Sequence, residues 1–139
     1  MRTEAGALAL VVGPSGAGKD SILRGARVAL AGDPGIVFVR RYVTRPPGPD
    51  EDNHEISVEA FACVRTLGGF LMAWEAHGLS YGVPSAHAID LACGRHVVVN
   101  ASRAAVSRAR ALYPHVRVVL ITASPDVLRA RLAARARDE

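Results

Sequence analysis

The chain has 139 residues, of which 50% are apolar and 22% are charged, with 13 glycines and 8 prolines. This composition indicates a single globular domain and excludes a disordered polyelectrolyte and a collagen. The formal net charge is +4, and Lys19 is the only lysine among 17 cationic residues. Because the arginines are spread along the chain and aromatic residues make up only 5%, we expect no nucleic-acid partner.

The apolar runs are too short to cross a membrane. Ala7 to Val12 and Val116 to Ile121 are far below the roughly 20 residues that a transmembrane helix needs. Glu4 and Gly6 interrupt any signal-peptide pattern at the start, so we expect a soluble, cytoplasmic protein without a membrane partner. The sequence contains no signal for an oligomeric state.

The first part of the chain predicts a strand, a glycine-rich turn and a helix. Ala7 to Val12 is a continuous apolar run, typical of a buried parallel strand. After the turn Gly13 to Gly18, Lys19 to Ala31 has apolar residues at helical spacing. Ile36 to Val39 predicts a second strand, and the proline-containing segment Arg40 to His54 predicts irregular surface structure.

The second part alternates short helices and strands. Ser57 can cap a helix over Val58 to Leu67, and Phe70 to Trp74 and the residues around Tyr81 predict two short strands. Further helices are predicted at 85–92, at 102–112 and from Ser124 onward, with strands at 97–99 and 116–121. This order predicts an α/β fold whose sheet is mostly parallel, with helices on both faces.

The strongest motif for function is the phosphate-binding loop (P-loop) pattern G-x-x-x-x-G-K between the first strand and the first helix. Its backbone N–H groups and the helix N-terminus create a site for phosphates, and the lysine reaches the β- and γ-phosphates of a nucleotide. We therefore predict ATP as a cofactor. The predicted nucleotide-binding residues are Gly13, Pro14, Ser15, Gly16, Ala17, Gly18, Lys19, Asp20 and Ser21.

Asp20 departs from the usual pattern, in which a serine or threonine follows the lysine and holds Mg²⁺. A carboxylate is also a good ligand for a hard cation, so we predict that Asp20 binds Mg²⁺ directly or through water. Ser21 does not simply replace the missing hydroxyl, because one residue along a helix turns the side chain by about 100°.

Several short motifs resemble the guanylate kinase family. They are Gly13-Pro14-Ser15-Gly16-x-Gly18-Lys19, Thr44-Arg45-Pro46, Phe70-Leu71, Gly78-x-x-Tyr81-Gly82 and Leu128-x-x-Arg131-Leu132-x-x-Arg135. The resemblance implies a P-loop NTPase fold of the guanylate kinase type, as one domain over residues 1–139 with an acceptor-binding insertion at about residues 40–84. It also implies that the chain ends before the end of the lid, the last helix and the last strand of that fold.

Three details differ from guanylate kinase itself: Asp20, Met72 and Asn100-Ala101-Ser102. Met72 and Ser102 stand where the family has carboxylates that read guanine. The chain instead resembles the ribose 1,5-bisphosphate phosphokinases of phosphonate degradation. The matching stretches are Gly18-Lys19-Asp20-Ser21, Tyr42-x-Thr44-Arg45-Pro46, Asn53-His54 and Trp74-x-x-His77-Gly78-Leu79-x-Tyr81-Gly82-Val83-Pro84.

This resemblance implies transfer of the ATP γ-phosphoryl group to the 1-phosphate of ribose 1,5-bisphosphate, a small sugar phosphate. A phosphate acceptor is already anionic at neutral pH and needs no general base, but it needs positioning and cations. The residues predicted to bind the acceptor are Arg41, Arg45, His54 and Tyr81. Lys19, Arg131 and Arg135 are predicted to contact the transferred group, the two arginines from a helix that leads into the family's lid.

Two alternative functions remain open from the sequence. A nucleoside monophosphate kinase of the guanylate type is disfavoured by Met72 and Ser102, which offer no carboxylate to a base. A catalytically impaired, guanylate kinase-like interaction module is disfavoured by the intact loop from Gly13 to Lys19, while the shortened chain end favours it.

Overall fold

The computed structural model describes residues 4–14, 17–48, 52–123, 126 and 130. In chain order its elements are β1 (Leu8–Val12), α1 (Lys19–Ala29), β2 (Ile36–Phe38), β3 (Tyr42–Val43), β4 (His54–Glu55), α2 (Val58–Thr66), β5 (Phe70–Ala76), β6 (Leu79–Pro84), α3 (His87–Ala92), β7 (His96–Asn100), α4 (Ala104–Leu112) and β8 (Val116–Leu120).

The main sheet is parallel and has the strand order β2-β7-β1-β8. Its central strands are rich in valine and leucine, and Leu10, Val97 and Val99 are fully buried, as expected for strands covered on both faces. The crossover from β1 to β7 passes through the intervening helices and the second sheet. The expectation of an α/β fold with a mostly parallel sheet is confirmed.

The second sheet has the order β4-β3-β6-β5 and contains only residues from the segment 42–84. β5 and β6 form an antiparallel hairpin, β6 pairs with β3, and β3 pairs with β4 in parallel. The two sheets share one hydrophobic core, in which Val43, Met72 and Val83 pack in the same cluster as Leu8 and Leu10. This shared core fixes the second sheet against the main sheet, because close-packed interiors resist displacement.

The expectation that Arg40 to His54 is an irregular surface segment is wrong in part. The segment contains β3 and the start of β4, and Arg41, Val43 and Asn53 are each less than 8% exposed. Its backbone pairs with β6, which lies far along the chain. A polar, proline-containing stretch is therefore buried through long-range pairing that its own composition does not reveal.

Local signals predict the helices well. The Ser57 hydroxyl accepts a hydrogen bond from the backbone N–H of Ala60 at 3.1 Å, as an N-cap should, and Gly68 has a φ of +76° after α2. The helix predicted from Ser124 lies largely outside the described residues, although Asp126 and Ala130 are helical. No helix in the described ranges combines the length and the apolar character needed to span a bilayer.

Candidate active site

A cleft of about 840 Å³ opens at the carboxyl ends of the parallel strands, where open α/β sheets bind their ligands. Three segments contribute to its wall: the loop between β1 and α1, the second sheet, and the residues that follow β7. The lining includes Gly13, Pro14, Gly18, Lys19, Asp20 and Ser21 from the first segment, Arg41, Arg45, Trp74, Glu75, His77 and Tyr81 from the second, and Asn100, Ala101, Ser102 and Arg103 from the third.

The loop after β1 requires glycine at two of the positions that the structure describes. A Cβ atom on Gly13 would lie 2.4 Å from the carbonyl oxygen of Ile121, so no side chain fits at the end of this strand. Gly18 has a φ of +87° and is the N-cap of α1, a left-handed conformation that glycine adopts without strain. Ser15 and Gly16 lie outside the described residues, and Ala17 is buried at 5% exposure.

Lys19 is the first residue of α1, and its side chain lies along the cleft toward the end of β7. The Lys19 ammonium donates a hydrogen bond to the backbone carbonyl of Ala101 at 3.2 Å. This contact holds the cation beside the loop, where a phosphate oxygen can compete for it. Ser21 also lines the cleft and is exposed.

Asp20 follows Lys19, and its carboxylate also faces β7. The amide nitrogen Nδ2 of Asn100 donates to Oδ1 of Asp20 at 3.0 Å. A carboxylate at the start of a helix is favoured by the helix dipole, and it supplies the hard oxygen that Mg²⁺ prefers. One carboxylate beside a phosphate-binding loop matches the usual Mg²⁺ site, in which nucleotide phosphates and water complete the coordination. The residues present therefore fit the predicted cation.

Arg41 is a buried cation in the cleft wall, with only 7% exposure. Its Nε donates to Oδ1 of Asn53 at 3.2 Å, and its Nη1 donates to the backbone carbonyl of Asn100 at 2.8 Å. The guanidinium also lies 5.1 Å from the centre of the Tyr81 ring. A buried charge needs such partners, and together they hold Arg41 in one orientation at the cleft wall.

Arg45 and Tyr81 are further residues that the sequence predicts to bind the acceptor. With Arg41 they line the part of the cleft wall that we call the acceptor end. Arg45 is partly buried, lines the cleft, and donates from Nη1 to the carbonyl of Pro46 at 3.0 Å. The Tyr81 ring stacks on Trp74 with a centroid distance of 5.4 Å and an interplanar angle of 6°. Arg41, Tyr81 and Trp74 therefore form a layered cation–ring–ring wall.

Three predicted site residues, His54, Arg131 and Arg135, are not among the described lining residues. His54 stacks on Tyr42 with ring centroids 4.6 Å apart, and it is not part of the described lining. Arg131 and Arg135 lie outside the described residues. The role of all three in catalysis or binding remains a prediction.

Trp74, Asn100 and Ser102 are cleft residues that were not among the predicted site residues. Each has one buried polar atom without a hydrogen-bond partner among the described residues: Nε1 of Trp74, Oδ1 of Asn100 and Oγ of Ser102. Such atoms are rare in native proteins, and here all three belong to residues that line one cleft. The position of Asn100 directly after a valine run, at the carboxyl end of a predicted strand, is the sequence signal that could have identified it.

The charges along the cleft suit an anionic ligand with several phosphates. Lys19, Arg41, Arg45 and Arg103 are cationic, whereas Asp20 and Glu75 are the acidic side chains among the described lining residues. Guanidinium groups match phosphate oxygens in geometry, so the acceptor end offers forked donors while the loop offers backbone N–H groups.

No family model matches the chain. Individual relatives do match, and several of them carry the same name. The chain is 56% identical over 132 residues to a ribose 1,5-bisphosphate phosphokinase PhnN from Methylobacterium radiotolerans, a match that covers 95% of this chain and 75% of that protein. It belongs to the PhnN family. A PhnN from Acidiphilium cryptum is 53% identical, with 96% of this chain and 71% of that protein covered.

Some of the similar proteins are much longer than this chain. A bifunctional ribose 1,5-bisphosphokinase-thymidine phosphorylase from Cupriavidus necator is 49% identical over 96% of this chain, which corresponds to 22% of that protein. Among solved structures, guanylate kinase from Anaplasma phagocytophilum matches with a TM-score of 0.75 at 19% identity, covering 99% of this chain and 72% of that one. The predicted guanylate kinase-like P-loop fold of this PhnN family member is thereby confirmed.

Proposed function

We propose that the protein transfers the γ-phosphoryl group of ATP to the 1-phosphate of ribose 1,5-bisphosphate, giving 5-phosphoribosyl diphosphate and ADP in phosphonate degradation. Membership of the PhnN family, at 50–56% identity to several curated relatives of that name, supports this phosphotransferase activity most strongly. The cleft supports it independently, since a phosphate-binding loop and a wall of cations face the same space.

The nucleotide end of the cleft binds and orients the donor. Lys19 exchanges its bond to the Ala101 carbonyl for bonds to the β- and γ-phosphates, where charge spreads during transfer. Asp20 would hold Mg²⁺, which would offset the charge of the triphosphate. The N–H groups at the start of α1 contribute further positive potential toward the phosphates.

The acceptor end binds a phosphate that is already anionic, so this chemistry requires positioning and charge balance rather than a base. Arg45 lines the cleft and is our leading ligand for an acceptor phosphate, with Tyr81 as a hydrogen-bond donor. Arg41 lies beneath Tyr81 and adds fixed positive charge. The cations offset the negative charge that accumulates where the 1-phosphate of the acceptor meets the γ-phosphate of the donor.

The same end is unsuited to a guanine base at the positions where guanylate kinases use carboxylates. Met72 is 3% exposed and lies in the hydrophobic core, and Ser102 offers a neutral hydroxyl. Neither can accept two guanine N–H donors as a carboxylate does. An acceptor without a base therefore fits this chain better than a nucleotide.

A coupled ADP-release assay with ribose 1,5-bisphosphate and GMP side by side tests the proposal. We expect turnover with the bisphosphate, and GMP turnover at least about 100-fold slower, because unpaired polar groups of a base are strongly rejected. In calorimetry ribose 1,5-bisphosphate should bind more tightly than ribose 5-phosphate, and GMP more weakly than either. GMP binding or turnover at or above that of the bisphosphate would restore the guanylate kinase alternative.

A further inference from the structure

Asn100 contacts groups from both ends of the cleft. Its side-chain nitrogen donates to Oδ1 of Asp20 at 3.0 Å, and its backbone carbonyl accepts a hydrogen bond from Nη1 of Arg41 at 2.8 Å. Asp20 begins the nucleotide-side helix, whereas Arg41 belongs to the acceptor-side wall. Asn100, at the carboxyl end of β7, therefore links Asp20, the predicted Mg²⁺ ligand, to Arg41, a residue predicted to bind the acceptor.

We propose that Asn100 is the positioning residue of the divalent-cation site. Its amide fixes one oxygen of Asp20 and leaves the other oxygen, Oδ2, as the ligand for the cation that accompanies the nucleotide. Its backbone carbonyl fixes Arg41 at the same time. The distance between the divalent cation and the acceptor therefore depends on Asn100. The proposal deepens the proposed function and rests on its use of an ATP–cation complex.

The first argument is the distribution of charge between the loop position, Asp20, and the strand-end position, Asn100. P-loop NTPases usually place a hydroxyl on the loop and a carboxylate on a Walker B strand to hold Mg²⁺. Here the carboxylate, Asp20, stands on the loop side, and the strand β7 ends with the neutral Asn100. An aspartate at the strand end would place two carboxylates about one hydrogen-bond length apart, which repel each other without a cation. The amide gives the same reach and adds no charge.

The second argument is the orientation of the Asn100 amide. Its Oδ1 is buried and has no hydrogen-bond partner in the part of the chain that the structure describes, while its Nδ2 is bonded to Asp20. A buried acceptor without a donor is unfavourable, so such an atom requires an explanation. The bond from Nδ2 to Asp20 supplies this explanation, because it holds the amide in the orientation that donates to the carboxylate. Outer partners of metal ligands act in this way.

The test measures binding of Mn²⁺, a spectroscopic substitute for Mg²⁺, by electron paramagnetic resonance in the presence of a non-hydrolysable ATP analogue. Asn100→Ala should weaken Mn²⁺ binding by about 10-fold, the low end of the effect of removing an outer partner of a ligand. Asp20→Asn leaves two amides and should weaken binding further. The double variant Asp20→Asn with Asn100→Asp restores one carboxylate and one amide in exchanged places, and it should bind Mn²⁺ at least about threefold more tightly than Asp20→Asn alone.

Asn100→Asp alone should bind the analogue more weakly than the parent without metal and depend more steeply on Mn²⁺, because the added carboxylate repels Asp20 until a cation is bound. Asp33→Asn is the matched control, since Asp33 is exposed and accepts a hydrogen bond from the backbone of Gly35 instead. Excess Mg²⁺ should also restore turnover of Asn100→Ala to within about threefold of the parent, which a merely structural defect would not allow.

Circular dichroism identifies any variant that fails to fold, and Asn100→Asp then provides the test, since it preserves side-chain shape. The inference is overturned if the Asn100 variants titrate with Mn²⁺ like the parent, or if the double variant binds no better than Asp20→Asn. These outcomes leave the proposed kinase function intact because the Mn²⁺ titrations contain no acceptor. Failure of the parent itself to bind the Mn²⁺–analogue complex would instead contradict both the proposed function and the inference.

Discussion

The nucleotide end and the acceptor end of the cleft are assembled in different ways. The nucleotide end comes from one short stretch, Gly13 to Ser21, which directly follows β1 and includes the start of α1. The acceptor end depends on register between distant strands, since Tyr42 pairs with Gly82 and Val43 pairs with Tyr81. A local motif therefore determines one end, whereas long-range packing determines the other, and substitutions should act differently at the two.

Lys19→Ala should have the largest effect on function with the smallest effect on folding. Loss of the cation removes stabilisation of the transferred charge, and we expect kcat to fall at least about 100-fold. The side chain is only partly buried and donates to the carbonyl of Ala101. We therefore expect stability to change by less than about 1 kcal/mol. Steady-state kinetics and urea unfolding on the same preparation measure both quantities.

Arg108→Ala is the matched control for Lys19→Ala. Arg108 is exposed on α4 and is absent from the described cleft lining, so removing its charge should leave kcat unchanged. Equal losses in the two variants would show that general positive charge, rather than the position of Lys19, supports turnover.

Arg41→Ala, in contrast to Lys19→Ala, should mainly reduce the stability of the protein, because it destabilises the acceptor end. The change removes the hydrogen bonds to Asn53 and Asn100, and it leaves the Asn53 side chain and the Asn100 carbonyl without this charged donor. We expect a loss of about 2–4 kcal/mol in the free energy of unfolding. The neighbouring Arg40→Ala is the control, because Arg40 is 52% exposed and pairs with Asp52 at the surface. A surface ion pair of this kind contributes about 0–1 kcal/mol.

A destabilisation by Arg41→Ala no larger than that of Arg40→Ala would contradict this account. It would mean that the hydrogen bonds of Arg41 do not stabilise the acceptor wall, and that this end is as locally determined as the loop.

Arg45→Ala should affect ligand binding without affecting folding. Arg45 is partly buried and lines the cleft, so its loss should cost the bisphosphate about 1.5–3 kcal/mol of binding free energy, the range for a hydrogen bond to a charged group. This corresponds to about a 10- to 150-fold rise in Kd, measurable by calorimetry. The loss should shrink as salt is raised, because screening weakens partly exposed charge interactions. An unchanged Kd would assign the acceptor phosphate to other residues.

The sequence predicted the local features of this molecule well. The strand before the loop, the helix that begins at Lys19 and the Ser57 cap each depend on neighbours in the chain, and all three are observed. Burial of Arg41 was not predicted, since its segment reads as polar and surface-exposed. It follows from pairing with β6, which local composition does not encode.

The cleft residues that were not predicted from the sequence also depend on long-range packing. Trp74 was predicted as part of a strand, and Asn100 follows the predicted strand at 97–99. The groups that surround them in the cleft come together only when the two sheets meet in one core. Asp20 could be predicted as a cation ligand from its place beside Lys19. The hydrogen bond between Asp20 and Asn100 could not be predicted, because 80 positions separate the two residues.

The smallest predicted effect concerns two left-handed residues, one at each end of the cleft. Gly18 has a φ of +87° at the nucleotide end, and His77 has a φ of +54° in the two-residue turn between β5 and β6, beside Gly78 at +75°. Two positive φ values in succession are typical of a type I′ hairpin turn, which normally uses Asn-Gly. Histidine at the first position therefore carries some backbone strain, whereas glycine at position 18 does not.

Gly18→Ala should destabilise the protein by about 1–2 kcal/mol, the cost of the left-handed conformation for a residue with a Cβ. His77→Gly should change stability by less than about 0.5 kcal/mol, because relief of strain at the turn is offset by the greater entropy of glycine in the unfolded chain. Urea midpoints at an unchanged m-value measure both effects. If His77→Gly instead costs more than Gly18→Ala, the imidazole stabilises the hairpin through its own contacts. The acceptor wall would then depend on the side chain of its turn as well as on strand register, which would deepen its contrast with the loop.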